Sequence, residues 1–144
     1  MKLITQSIIY LYVLIGGVNS IHAETLEIQG SKIELLNNCR LNVTYPNQEN
    51  KILKLSLPDN APCKIVNHTN TNIIQLEQVT NYYLFLIEST SLINNKCQSI
   101  YTAIAVSNKG GIVSTPGTKR SSSCGIGRER KVFETFAYKM KILK

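Results

Sequence analysis

The chain has 144 residues and a formal net charge of +7, with 16 Lys and Arg against nine Asp and Glu. Its length is that of one domain with a single modest hydrophobic core. With two histidines in the whole sequence and no G-x-S-x-G motif, nothing in the composition supports Ser-His-Asp or Cys-His catalysis.

The first 23 residues have the pattern of a secretory signal peptide. Lys2 gives a positive start, residues 8–18 form an apolar core, and the small residue Ala23 ends a cleavage site. The apolar run is shorter than the about 20 residues of a membrane-spanning helix, and an uncleaved anchor is the alternative. The sequence therefore predicts a periplasmic or secreted protein in which residues 24–144 form a single β-rich domain without a membrane span.

Four cysteines follow the predicted cleavage site: Cys39, Cys63, Cys97 and Cys124. Export places them in an oxidising compartment, where two disulfides are the expected state. Three pairings are open. We favour Cys39–Cys63 with Cys97–Cys124 because each closes a short loop of about 25 residues, worth ~3–4 kcal/mol in the chain-entropy model. No C-x-x-C pair occurs, so we expect no metal site and no cofactor.

Short runs of alternating apolar and polar residues predict β-strands through most of the domain. The predicted strands cover residues 24–30, two runs within 31–45 joined by a turn at residues 37–38, and then 52–57, 63–66, 73–79, 82–87, 100–107 and 112–113. Residues 108–111 have the composition of a hairpin turn. Residues 73–79 and 82–87 are apolar, β-branched or aromatic, which predicts the buried centre of a sheet.

The last segment has a different period. Its apolar residues recur at the spacing of one helix face: Val132, Phe133, Phe136, Ala137 and Met140. A strand is the alternative, but its alternation would place Glu134 on the buried face. The predicted fold is therefore mainly β, an antiparallel sandwich or small barrel with a C-terminal helix, stabilised by disulfides.

Nearly all of the net charge lies at the C-terminal end. Residues 24–118 carry seven basic and seven acidic residues (7 − 7 = 0), whereas residues 119–144 carry eight and two (8 − 2 = +6). Such a segment suits an acidic protein partner or an anionic polymer, or is only a solvated surface. Export makes nucleic acid the least expected partner. We predict Arg128, Arg130 and Lys131 as the contact residues.

Two glycines, Gly125 and Gly127, precede the predicted helix. Their backbone N–H groups could form an anion-binding nest that Arg128 and Arg130 complete. The favoured alternative is a turn beside the cysteine at position 124, in which glycine supplies a positive φ.

The remaining candidate groups for chemistry are one histidine and two carboxylates. His68 lies in a polar turn, residues 67–72, and is predicted to be a surface residue. Glu77 and Glu88 lie in or beside apolar strands and are the candidates for glycoside chemistry, although an outward-facing position is the favoured interpretation. We therefore name no catalytic residues and predict that the protein is not an enzyme.

The run CGIGRERKVFETFAYK, with the signal peptide and the four-cysteine β domain, resembles small exported bacterial proteins of unknown function. The resemblance rests on the pattern C-x-x-G-x-E-[RK]-K-x-F-x-x-F-A-[YH] at residues 124–138, and it implies no particular activity. Lysozyme-inhibitor families share the size and β-rich build, but their Ser-Gly-rich signature motif has no counterpart here, so no residues are carried over.

These features predict a small exported non-enzymatic binding protein. It would be an inhibitor or immunity-type partner of another envelope or secreted protein, which it contacts through the basic C-terminal segment. The alternative is an envelope-associated protein that binds an anionic polymer or surface. A small hydrolase using Glu77 or Glu88 is the third hypothesis.

Overall fold

The computed structural model describes residues 24–59 and 61–143, so the predicted signal peptide lies outside the described residues. Within them, ten strands and one helix follow in chain order: β1 Glu24–Ile28, β2 Ser31–Leu35, β3 Arg40–Thr44, β4 Asn50–Lys54, β5 Cys63–Ile65, β6 Glu77–Val79, β7 Tyr82–Ile93, β8 Lys96–Ser107, β9 Ile112–Ser114, β10 Lys119–Ser121 and α1 Arg130–Lys139. The predicted fold class, mainly β with a C-terminal helix, is confirmed.

The strands form two antiparallel sheets. The first sheet is a meander in the order β1-β2-β3-β4. The second has the order β10-β8-β7-β5, with β6 also paired to β7 and β9 to β8. Its central pair, β7 and β8, are twelve residues each and stay in register from Tyr82↔Ser107 to Ile93↔Lys96.

The second sheet is buried on both faces, because β7 is apolar at successive positions. Phe85 and Ile87 pack into the core shared with the first sheet, whereas Leu84 and Leu86 pack into the core shared with α1. Successive side chains of a strand point to opposite faces of the sheet. A strand with apolar residues at successive positions therefore needs a packed layer on each face. The molecule therefore has three layers: first sheet, second sheet and helix.

The helix prediction for the last segment is confirmed over the strand alternative. Phe133, Phe136 and Ala137 are fully buried, and the Phe136 ring meets Tyr101 of β8 edge to face, with centroids 6.0 Å apart. Helix α1 ends where Lys141 adopts a φ of +60°, after the Met140 N–H has donated to the Phe136 carbonyl. The apolar stripe that suggested a helix is the face that packs on the sheet.

Both favoured disulfides are confirmed. Cys39–Cys63 joins the turn between β2 and β3 to β5, across a Cα–Cα distance of 5.5 Å. Cys97–Cys124 joins β8 to the segment that leads into α1, across 6.0 Å. The first bridge therefore links the two sheets, and the second fixes the start of the basic segment.

Three strand predictions need correction. Residues 73–79 are not the buried centre of a sheet: only Glu77–Val79 is a strand, Ile73 is exposed, and Ile74 makes an isolated bridge to Asn67. β4 ends at Lys54, although Leu55 and Leu57 beyond it are still buried. β10, Lys119–Ser121, was not among the predicted strands.

Gly110 holds the turns of the two sheets together. Its φ is +81°, and an added Cβ would lie 2.6 Å from Pro46 Cγ and 2.8 Å from the Gln29 carbonyl oxygen. The Gly110 carbonyl accepts a hydrogen bond from Ser31 Oγ at 2.6 Å.

We expect Gly110→Ala to lower the free energy of unfolding by about 2–4 kcal/mol, because positive φ and overpacking both penalise a side chain. Urea unfolding measures the loss. Gly111→Ala is the control, since the atom nearest to an added Cβ there is the flexible Ser107 hydroxyl at 3.1 Å and the φ of Gly111 is not left-handed. Equal losses in the two variants would contradict this account of the turn.

Candidate functional site

The basic C-terminal residues divide into one buried arginine and several exposed side chains. The Arg128 side chain is 9% exposed, whereas that of Arg130 is 59% exposed. Other exposed cations of this segment are Arg120, Lys131, Lys139 and Lys141, and Lys144 lies outside the described residues. The predicted contact residues therefore occupy two different environments.

Arg128 is held inside the fold by a carboxylate, an aromatic ring and a set of serine oxygens. Its Nη2 lies 3.6 Å from Glu88 Oε2, and its Cζ lies 4.7 Å from the centre of the Tyr101 ring. The guanidinium donates hydrogen bonds of 2.9 Å to three oxygens: Ser99 Oγ, Ser121 Oγ and the Ser123 carbonyl. Such a forked set of contacts suits arginine and fixes the segment that carries it.

Glu88 is the acidic partner in this cluster, and the expectation that it faces outward is wrong. It is fully buried on the β7 face that also carries Leu84 and Leu86. Its Oε1 accepts the Gly125 N–H at 2.8 Å and lies 3.4 Å from Lys64 Nζ. The segment before α1 covers this end of the sheet, so the carboxylate balances cations and has no exposed surface.

The backbone amides of the two-glycine turn already have acceptors within the protein. Gly125, at φ +66°, donates to the buried carboxylate described above, and the Gly127 N–H donates to Thr69 Oγ1 at 3.0 Å. Gln75 grips the backbone of Arg128, accepting its N–H and donating to its carbonyl, each at 2.7 Å. The positive φ of Gly125 fits the turn interpretation, and an anion would have to displace these acceptors.

Gln75 and Ser99 are structural residues of the site that the sequence did not single out. Gln75 is buried although its side chain is polar. Its contact with Arg128 spans 53 positions in the chain, and Ser99 meets the same arginine across 29. The local pattern of apolar and polar residues cannot predict hydrogen bonds between residues so far apart in the chain.

Arg130 is exposed but oriented. Its Nε lies 3.1 Å from Glu134 Oε1, one helical turn away, and its Nη1 lies 3.4 Å from Glu77 Oε2. Its Nη2 also donates to the Gln78 carbonyl at 3.1 Å. Because exposed ion pairs contribute only about 0–1 kcal/mol, these contacts direct the side chain without removing it from solvent.

The outward side of α1 continues this exposed basic surface. Lys131 and Tyr138 are seven positions apart and share one helical stripe, and the Tyr138 side chain is 67% exposed. An open groove of ≈ 440 Å³ is lined by Tyr138, Lys139, Lys141 and Leu143. We call the set Arg130, Lys131, Tyr138, Lys139 and Lys141 the basic helix face.

Of the other candidate groups, Glu77 contacts Arg130 of this face, whereas Glu88 lies in the buried cluster with Arg128. His68 is exposed in its turn, as predicted. Among residues 24–59 and 61–143, no three His, Cys, Asp or Glu side chains lie close enough to hold a metal ion together. The pKa of Glu34 is lowered by hydrogen bonds from Lys32 and Asn42, but these residues belong to the first sheet.

The part of the chain that the structure describes also contains no helix long and apolar enough to cross a membrane. No family model, curated protein or solved structure matches the sequence. The resemblance to exported bacterial proteins of unknown function stays a prediction.

Proposed function

We propose that the protein is a small exported binding protein without catalytic activity, an inhibitor or immunity-type partner of another envelope or secreted protein. It meets this partner through the basic helix face. The proposal is supported by two disulfides, which persist in oxidising compartments outside the cytoplasm, and by the position of the exposed charge.

One observation carries the proposal: α1 is fixed on its inner side while its outer side presents cations around an exposed tyrosine. Phe133 and Phe136 are fully buried against the sheet, so the helix does not have to be ordered on binding. A preformed surface lowers the entropy cost of association. Tyrosine and arginine are also enriched among the residues that dominate binding energy, which makes Tyr138 and Arg130 suitable central contacts.

Arg128 has a supporting role in this proposal. Its guanidinium is occupied by Glu88 and serine oxygens, and its backbone is gripped by Gln75. It therefore fixes the start of α1, two residues before Arg130. Gly125 and Gly127 shape the same turn, which leaves Arg130 and Lys131 as the contact residues of the original set.

Charge reversal tests the contact. We expect Arg130→Glu/Lys131→Glu to weaken binding to the purified partner by about tenfold or more and to reduce the salt dependence of Kd. The reason is that two carboxylates would then face the acidic groups of the partner that the two cations contact. The matched control is Arg40→Glu/Lys51→Glu, which makes the same change in net charge at exposed positions of the first sheet. Equal affinities for the two variants would exclude the basic helix face.

A second candidate function is attachment to an anionic polymer or surface. It is favoured by the cations of the basic helix face, three of which are lysines spread along the side and end of α1. A contact of this kind is mainly electrostatic and is screened by salt. It would retain the protein on many anionic matrices at low ionic strength and release it at high ionic strength.

A further inference from the structure

The β7–β8 hairpin projects beyond the second sheet. Its neighbours end early: β5 reaches Ser89 through Cys63, and β10 reaches Ser99 through Ser121. From Ser91↔Gln98 to the turn, no other strand of the described chain pairs with the two. We call residues 90–98 the hairpin tip.

The tip carries two exposed aliphatic side chains and a cation. Leu92 is 75% exposed and Ile93 is 49% exposed. Lys96, the cross-strand partner of Ile93, is also exposed, and residues 89–99 contain no Asp or Glu. Scattered single apolar residues are common on surfaces, but here two adjacent ones stand at the end of a projecting element.

The tip is held by a tight turn, a disulfide and a hydrogen bond, and not by packing against the core. Asn94 and Asn95 both have positive φ, 51° and 59°, which is the geometry of a tight two-residue hairpin turn. Cys97, paired across the hairpin with Leu92, is bonded to Cys124. Ser99 donates to the Ser123 carbonyl just below. An isolated hairpin is only marginally stable. The turn, the disulfide and the hydrogen bond therefore keep the hairpin tip in one conformation before it meets a partner.

We propose that the hairpin tip is a wedge that enters an apolar cleft with an acidic rim on a protein partner. This deepens the proposed function and rests on it, because the cleft would belong to the protein that binds the basic helix face. Leu92 and Ile93 are consecutive in a strand and point to opposite faces of the ribbon. Two opposed apolar contacts fit a cleft with two walls, and Lys96 fits acidic groups at its rim.

A flat membrane surface fits these features less well. Amphipathic helices that bind membranes gather their apolar groups on one face and carry Lys and Arg on the other. The tip instead divides its two aliphatic side chains between faces, and it carries one lysine. The protein cleft is therefore the occupant to which the proposal commits.

Photo-crosslinking followed by affinity measurement tests the proposal. The oxidised protein, with a photoreactive residue in place of Ile93, is exposed to an envelope extract of the source cells, and the cross-linked protein is identified and purified. We expect Leu92→Ser/Ile93→Ser to weaken its Kd by about tenfold or more, since truncating a buried hot-spot pair has an effect of this size. The matched control is Ile52→Ser/Ile73→Ser, two exposed isoleucines away from the tip, which should leave Kd unchanged.

Four outcomes would overturn the proposal: no cross-linked protein, cross-linking only to a second copy of this chain, an unchanged Kd for the tip variant, or tip-dependent binding to vesicles of phosphatidylethanolamine and phosphatidylglycerol. The Arg130→Glu/Lys131→Glu variant separates this failure from that of the proposed function. Weaker binding in the tip variant alone would remove the basic helix face as a contact, and weaker binding in the charge variant alone would remove the tip.

Discussion

Replacing Arg128 by alanine is expected to lower the free energy of unfolding by about 3–5 kcal/mol, because it leaves a buried charge without its partner. Glu88 is fully buried, and its remaining neighbours are the Gly125 N–H and the half-exposed Lys64. The loss of the guanidinium also removes the donors to three serine oxygens. Denaturant unfolding of the oxidised protein, followed by circular dichroism, measures the difference.

Two controls separate the buried pair from a general effect of removing charge. Arg130→Ala removes a neighbouring exposed arginine and should lower stability by only about 0–1 kcal/mol. The double variant Glu88→Leu/Arg128→Met removes both charges and should be more stable than Arg128→Ala alone. A loss in Arg128→Ala no larger than in Arg130→Ala would show that Arg128 does not fix the segment before α1.

Removal of the Cys39–Cys63 bridge, as Cys39→Ser/Cys63→Ser, is expected to lower stability by ~3–4 kcal/mol, because the unfolded chain gains the freedom of the opened loop. The bridge closes a loop with a sequence separation of 24 and links the two sheets. Since a domain of this size has a total stability of about 5–15 kcal/mol, the loss is a large fraction of it. Thermal unfolding of the variant and the wild type without reductant gives the measurement.

Full reduction provides the control for this bridge. With reductant sufficient to open both disulfides, the wild type and the variant should unfold at nearly the same temperature, because both then lack the link between the sheets. A variant that matches the oxidised wild type would contradict the role of this bridge.

The parts of the fold that the sequence predicted correctly are those set by local pattern. The apolar stripe of α1 and the apolar residues of the β7–β8 pair follow directly from side-chain period. The disulfide pairing followed from short loop lengths. The strand prediction for residues 73–79 was wrong, because a short apolar run does not indicate whether its backbone is paired with another strand. In this segment the Gln75 side chain instead points inward and hydrogen-bonds the backbone of Arg128.

The candidate site was only partly predictable for the same reason. Arg128 and Arg130 are separated by one residue and share the same local composition, yet the first is buried and the second exposed. The difference comes from Glu88, 40 positions earlier in the chain, which no spacing rule connects to either arginine. The predicted strand also ended at residue 87, whereas β7 continues to Ile93, and its last four residues, 90–93, lie outside the core. A hairpin with both faces exposed to solvent does not need alternating apolar and polar residues, so its sequence carries no strand pattern.

The most direct test of the central claim is affinity capture from an envelope extract with the oxidised protein, at low and high salt, with bound proteins identified by mass spectrometry. At roughly 0.5 M salt the screening length is about 4 Å, so nonspecific contacts through the basic helix face are strongly weakened. The binding-protein account predicts that one protein is retained at both salts. A broad set of molecules retained at low salt and lost at high salt would contradict it and favour the polymer contact.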